Sequence, residues 1–201
     1  MTVLDISPVI PVVVINDVET AVPLAEALLA GGIRTIEVTL RTPAALDAVG
    51  RIAANVPDMV VGVGTVVTPD QVTASVRAGA GYLISPGSTP LVLDAMAASG
   101  LPYLPGVSTA SEVMAAAERG LTELKFFPAE AAGGVSYLAA LAGPFPHVRF
   151  CPTGGITQQT APNYLALSNV GCVGGSWLTP ADAVAQGDWA RITQLAKEAT
   201  S

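Results

Sequence analysis

The chain is short of charge, and above all of lysine and histidine. Only 12% of its 201 residues are charged, about half the share of an average soluble domain. It has two lysines, Lys125 and Lys197, and one histidine, His147. No basic run occurs, so nucleic acid is not an expected partner. A catalytic zinc usually takes several histidines, so no metal is expected. A Ser-His-Asp triad would need His147, which precedes a strand-like run and so lies at the wrong end for catalysis. The segment Gly62-Val63-Gly64-Thr65 lacks the fuller dinucleotide fingerprint; no nicotinamide site or other cofactor is expected. The two cysteines, Cys151 and Cys172, are too few for a disulfide scaffold. Both lie in apolar runs and read as buried free thiols of a cytoplasmic protein. No segment approaches the roughly 20 apolar residues of a membrane helix, so no membrane partner is expected. The leading MTVLDISPVIPVVVIN has Asp5 and no basic residue before its apolar stretch, unlike a secretory leader.

Apolar residues make up 51% of the chain. A chain so apolar either buries an unusual share of its residues or hides surface in an oligomer, and both are expected here. The net charge of -7 fits ordinary solubility, with attraction for a cationic substrate as the alternative. No linker-like stretch divides the sequence, so residues 1–201 read as one domain.

Eight short β-branched or apolar runs recur at near-regular intervals: 9–15, 35–40, 59–64, 81–86, 101–106, 123–128, 148–155 and 170–176. A turn and an amphipathic pattern follow each one. Ala21, Leu24, Ala25, Leu28 and Leu29 repeat at helical spacing, Gly31-Gly32 supplies a stop, and Pro23 sets the helix start a few residues before itself. Thr68-Pro69 reads as a cap followed by proline in the first turn, and Thr109 to Glu112 has capping-box spacing. Eight such units joined by short connections predict an α/β chain of one (β/α)8 TIM barrel. An open doubly wound sheet is the competing arrangement.

The polar residues gather where these runs end, which is the catalytic face of such barrels. Lys125 lies between Leu124 and Phe126. Strand alternation puts Glu123, Lys125 and Phe127 on one face and Leu124 and Phe126 on the other. If the lysine faces inward, desolvation favours its neutral amine, a nucleophile for carbonyls. Pairing with Glu123, or reaching out to a loop, are the structural alternatives. Glu37 lies in the second run with the parity of Thr35 and Thr39. Alternate strands share layers inside a barrel, so Glu37 and Lys125 can converge as base and nucleophile, or as a buried ion pair. Thr153-Gly154-Gly155 and Gly174-Gly175-Ser176 end the seventh and eighth runs. Such loops, with open backbone amides at helix N-termini, cradle phosphate; the alternative is tight turns that need positive φ. Glu130 fits a helix start better than substrate contact.

Seven segments together, EVTLRT (37–42), VGVGTV (61–66), ISPGST (84–89), PGVST (105–109), KFFPAE (125–130), RFCPTGGI (149–156) and GGSWL (174–178), resemble the bacterial 2-keto-3-deoxy-6-phosphogluconate aldolases. These are also called 2-dehydro-3-deoxy-phosphogluconate / 4-hydroxy-2-oxoglutarate aldolases. The likeness runs from about residue 8 to residue 198. It implies a trimeric barrel that needs no metal and cleaves a phosphorylated keto acid to pyruvate. By resemblance, Lys125 is the Schiff-base lysine and Glu37 the proton-transfer residue. Arg41, Thr65 and Thr153 match positions that hold the carboxylate and hydroxyls, Pro86 and Phe127 match the pocket wall, and Gly154, Gly155, Gly175 and Ser176 match the phosphate loops. Ala132 stands where relatives often carry Asn, and Ser88 where they are often apolar. A related aldolase of the galactonate epimer, a phosphosugar isomerase or decarboxylase, and a non-catalytic scaffold subunit are the rival readings.

Overall fold

A computed structural model of the chain describes residues 2–200. Its strands are β1 Val9–Val13, β2 Thr35–Thr39, β3 Val60–Gly64, β4 Tyr82–Ile84, β5 Tyr103–Leu104, β6 Gly106–Val107, β7 Glu123–Phe126, β8 Arg149–Pro152 and β9 Val173–Gly175. The helices between them are α1 Ala21–Ala30, α2 Ala45–Asn55, α3 Pro69–Arg77, α4 Pro90–Ala98, α5 Ala110–Glu118, α6 Gly134–Leu141, α7 Ala161–Leu165, α8 Ala181–Gln186 and α9 Trp189–Thr200.

Every strand pair is parallel. Six strands join in the order β5-β4-β3-β2-β1-β9 and three as β6-β7-β8. Single parallel bridges, Phe150 with Val170 and Thr153 with Gly174, link the β8 run to the β9 run. The two arcs therefore close into the (β/α)8 barrel that the alternation predicts, and the open sheet is ruled out. The fifth run is split at Pro105, which has no N–H to give the ladder. Its first half pairs with β4 and its second with β7, so this one run joins both arcs.

Helix starts follow the capping chemistry of the sequence. Thr68 and Thr109 accept from the amides of Gln71 and Glu112, whose side chains reach back to close capping boxes. A 3-10 turn at Val18–Thr20 precedes α1, which begins two residues ahead of Pro23. At the other end of the chain α9 lies on α1, where the Thr193 hydroxyl donates to the Ala27 carbonyl at 2.9 Å.

The barrel has two cores. Ile36, Val38, Leu124 and Phe126 point outward into the apolar layer beneath the helices. Ile10, Tyr82, Ile84, Leu104, Cys151 and Cys172 fill the interior together with Val3 and Leu4. These last two come from a 3-10 turn at Val3–Asp5, so this turn closes the bottom of the barrel. Asp5 is held there by Arg149 at 2.8 Å. Among the described residues, no helix is long and apolar enough to cross a membrane.

Candidate active site

β2 is buried along its whole length. With Ile36 and Val38 committed to the outer core, alternation turns Thr35, Glu37 and Thr39 inward. The same rule turns Lys125 of β7 inward. The two side chains meet: Lys125 Nζ donates to Glu37 Oε1 at 3.1 Å and to Oε2 at 3.4 Å. Lys125 is 5% and Glu37 1% exposed. Glu123 does not compete for the lysine; it lies toward the barrel bottom, with Arg149 at 3.6 Å. The Phe127 ring flanks the amine, its centroid 5.5 Å from Nζ.

Space for this pair comes from β3. A Cβ on Gly64 would collide with the Glu37 carboxylate, and one on Gly62 with the Tyr82 ring. Two glycines facing inward thus admit two large polar groups. Tyr82 forms the floor: its hydroxyl donates to the Ile36 carbonyl at 3.2 Å and bonds Thr35 Oγ1 at 2.8 Å. Burial pushes its phenol well above the usual value, so it stays neutral.

Lys125 is in register with Cys151 on β8, and Thr153, two residues farther on, shares that inward face. Its hydroxyl fits against Gly174, where a Cβ would strike it. Thr153 also lines a cavity of about 330 Å³ with Arg41, Gly154, Gly155, Gly175 and Ser176. All six were singled out in the sequence, and the fold brings them together from the ends of β2, β8 and β9. Among the described residues no carboxylate lies within ion-pairing reach of Arg41, which leaves its guanidinium available to an anion. A wider cavity of about 550 Å³ adjoins it, sharing Val12, Val14 and Ser176.

The glycine loops differ from expectation in one respect. They do not sit at helix N-termini, because α7 begins at Ala161 and α8 at Ala181, several residues beyond the glycines. The loop after β8 turns instead on left-handed residues, Gly154 at φ 105° and Gly155 at φ 80°, whereas Gly174 and Gly175 have no positive φ. Thr65, at the end of β3, also has positive φ, 63°. A β-branched residue there carries strain of about 1–3 kcal/mol, a cost met most often at functional sites. Pro86 follows β4, and its backbone is so close to Gly106 that no Cβ fits between them. His147 is exposed ahead of β8, at the far end from this cluster. Cys151 and Cys172 are buried free thiols, as expected.

The family model for KDPG and KHG aldolases matches residues 1–195. The chain belongs to this aldolase family. It is 54% identical over 198 residues to the KHG/KDPG aldolase of Escherichia coli K12, covering 98% of this chain and 93% of that one. Identity is also 54%, over 199 residues, to the 2-dehydro-3-deoxy-phosphogluconate aldolase of Dickeya dadantii, covering 99% and 93%. A solved KDPG aldolase from Legionella pneumophila, with pyruvate captured at low pH as a covalent carbinolamine, is similar with a TM-score of 0.96 at 49% identity, covering 98% and 96%.

Against the family pattern, Ala132 and Ser88 both lie in strand-end loops. Ala132 is half-buried and its amide donates to the Pro128 carbonyl at 2.9 Å. Ser88 is half-buried just ahead of α4. Sequence reasoning missed the Tyr82–Thr35 floor and the part played by Gly62 and Gly64. It also missed the bond from Tyr164 Oη to Glu130 Oε1, 2.6 Å long. A tyrosine packed over a glycine of the neighbouring strand carries no pairwise signal in one sequence.

Proposed function

We propose that this chain is a class I aldolase that cleaves 2-dehydro-3-deoxy-6-phosphogluconate to pyruvate and glyceraldehyde 3-phosphate through a Schiff base on Lys125. Cleavage of 4-hydroxy-2-oxoglutarate to pyruvate and glyoxylate is included in the reading. Its main support is the Lys125–Glu37 pair, buried in a family member beside a cavity lined by Arg41 and glycine backbone.

The pair explains how a buried ammonium becomes a nucleophile. Glu37 takes a proton from Lys125, and the freed amine adds to the keto carbon C2 to give a carbinolamine. Glu37 returns that proton to the departing hydroxyl, and water leaves an iminium. The iminium draws electrons from the C3–C4 bond as Glu37, now basic again, removes the proton of the C4 hydroxyl. Glyceraldehyde 3-phosphate departs, and the remaining enamine is protonated on carbon by Glu37. Hydrolysis then releases pyruvate. Arg41 suits the substrate carboxylate because its planar fork pairs with two oxygens. Thr65 and Thr153 serve the carboxylate and hydroxyls, and Pro86 and Phe127 wall the pocket. Gly154, Gly155, Gly175 and Ser176 receive the phosphate on backbone amides.

Reduction with borohydride in the presence of pyruvate tests the central step. Mass spectrometry is expected to find the adduct on Lys125, and an unmodified Lys125 would overturn the proposal. In Glu37→Gln the lysine is expected still to trap pyruvate on long incubation, while turnover falls about 10²-fold or more. The gluconate and galactonate epimers are separated by comparing kcat/KM on each. Exposed Val67, Leu91 and Met114 are consistent with a homotrimer, which light scattering would test. Free thiols at Cys151 and Cys172 suit the cytoplasm.

A further inference from the structure

The loop after β8 has two adjacent glycines in left-handed conformations, at φ 105° and 80°. Glycine has the widest backbone freedom of any residue, so such a loop does not hold one shape by itself. In this fold the restraint comes from the segment after β7. The Ala129 amide donates to the Thr153 carbonyl at 2.8 Å, and the Glu130 amide to the Gly154 carbonyl at 3.1 Å. The Glu130 side chain then lies against Gly155, where a Cβ would come within 2.8 Å of its Cβ and Cγ.

Glu130 is itself held from the other side. Tyr164 Oη donates to Glu130 Oε1 at 2.6 Å. Tyr164 belongs to α7, the helix that follows the glycine loop, and is 0% exposed. Burial, and then the Glu130 acceptor, push its phenol above the usual value, so it remains a donor at neutral pH. The segment after β7, the glycine loop and α7 therefore form a closed brace. Neither Glu130 nor Tyr164 lines the cavity that holds Arg41 and the glycines. Both face a separate surface hollow with Gly133, Gly134, Thr160 and Asn163.

We propose that Glu130 and Tyr164 are positioning residues that set the preference for a phosphorylated substrate, by fixing Gly154 and Gly155 in a phosphate-receiving shape. The inference rests on the reading of those glycines as the phosphate site. It separates two kinds of binding energy: the lysine end of the substrate is held by β2 and β7, and the phosphate end by the brace.

The test uses the full chain as wild type, Tyr164→Phe, Glu130→Gln and Glu130→Ala. Each is assayed on the phosphorylated keto acid and on unphosphorylated 4-hydroxy-2-oxoglutarate, with inorganic phosphate as competitor. Tyr164→Phe and Glu130→Ala are expected to raise KM for the phosphorylated substrate about fivefold to tenfold, as loss of a bond to a charged group implies. The phosphate inhibition constant should rise in parallel. Activity on the unphosphorylated substrate and borohydride trapping of pyruvate should stay within about twofold of wild type. Glu130→Gln keeps an acceptor for the phenol and should recover most of the loss. Equal losses on both substrates, or an unchanged KM for the phosphorylated one, would overturn the brace. If phosphate does not compete in the wild type, the phosphate site itself is misassigned and the brace falls with it.

Discussion

Lys125→Met gives the most searching test of the site, because it can be read without any turnover. The substitution keeps the unbranched stem and removes the charge. Glu37, 1% exposed, then loses its cation at 3.1 Å, above a barrel interior of apolar side chains. Breaking a buried pair on one side costs about 3–5 kcal/mol, because the remaining charge has neither water nor partner. In a chain of this size that corresponds to a fall in Tm of roughly 6–20 °C. Glu37→Gln strands the ammonium instead and should lose a comparable amount. The double variant leaves no charge behind and should recover most of the loss, so the two changes should be far from additive. Urea denaturation at neutral pH and one fixed protein concentration measures all four corners, since oligomerisation would otherwise shift the midpoint. A single Lys125→Met costing less than about 1 kcal/mol, or a double variant no better than the singles, would refute a desolvated ion pair.

Two further outcomes follow from the geometry. Gly64→Ala forces a methyl onto the Glu37 carboxylate; it should lower kcat at least tenfold and cost about 1–3 kcal/mol of stability. As its control, Gly50→Ala in α2, where a Cβ would meet only the Ala78 carbonyl at 3.6 Å, should stabilise by about 0.5–1 kcal/mol and leave kcat alone. The Arg149 partner holds the Asp5 carboxyl down to about 2. Its contribution is therefore complete above the unfolded value near 4 and is lost as pH falls from there to about 2. Both side chains are 41% exposed, so Asp5→Asn should cost no more than about 1 kcal/mol at neutral pH in denaturant titrations, and nothing below pH 2.

The barrel was readable because its physics is local. Continuous apolar runs of strand length and capped helices mark eight units without reference to any contact. Parity allowed Lys125 and Glu37 to face inward without deciding which face of the lysine run does so, and layer sharing allowed them to meet. Three features lay beyond that reach. The split at Pro105 depends on which neighbours each half of the run finds. The displacement of the glycine loops from the helix starts depends on loop paths that no periodicity encodes. The Tyr164–Glu130 bond joins α7 to the turn after β7, and the sequence pattern, which offered Glu130 only a helix start or substrate contact, gives it no partner. Sequence reasoning located the groups that do chemistry more readily than those that hold them still.

The N-terminal turn that sets Val3 and Leu4 into the bottom of the barrel also bears on the order of events in catalysis. It makes the interior a blind well with Lys125 near its base. With the proposed Schiff base on Lys125, the aldehyde fragment would form nearer the mouth, between the enamine and bulk solvent. Water that hydrolyses the pyruvate adduct must enter by the route along which the aldehyde leaves. On the proposed mechanism product release is then expected to be ordered, aldehyde first and pyruvate last, with the enzyme–enamine as the state that waits for a new aldehyde when the reaction runs toward synthesis.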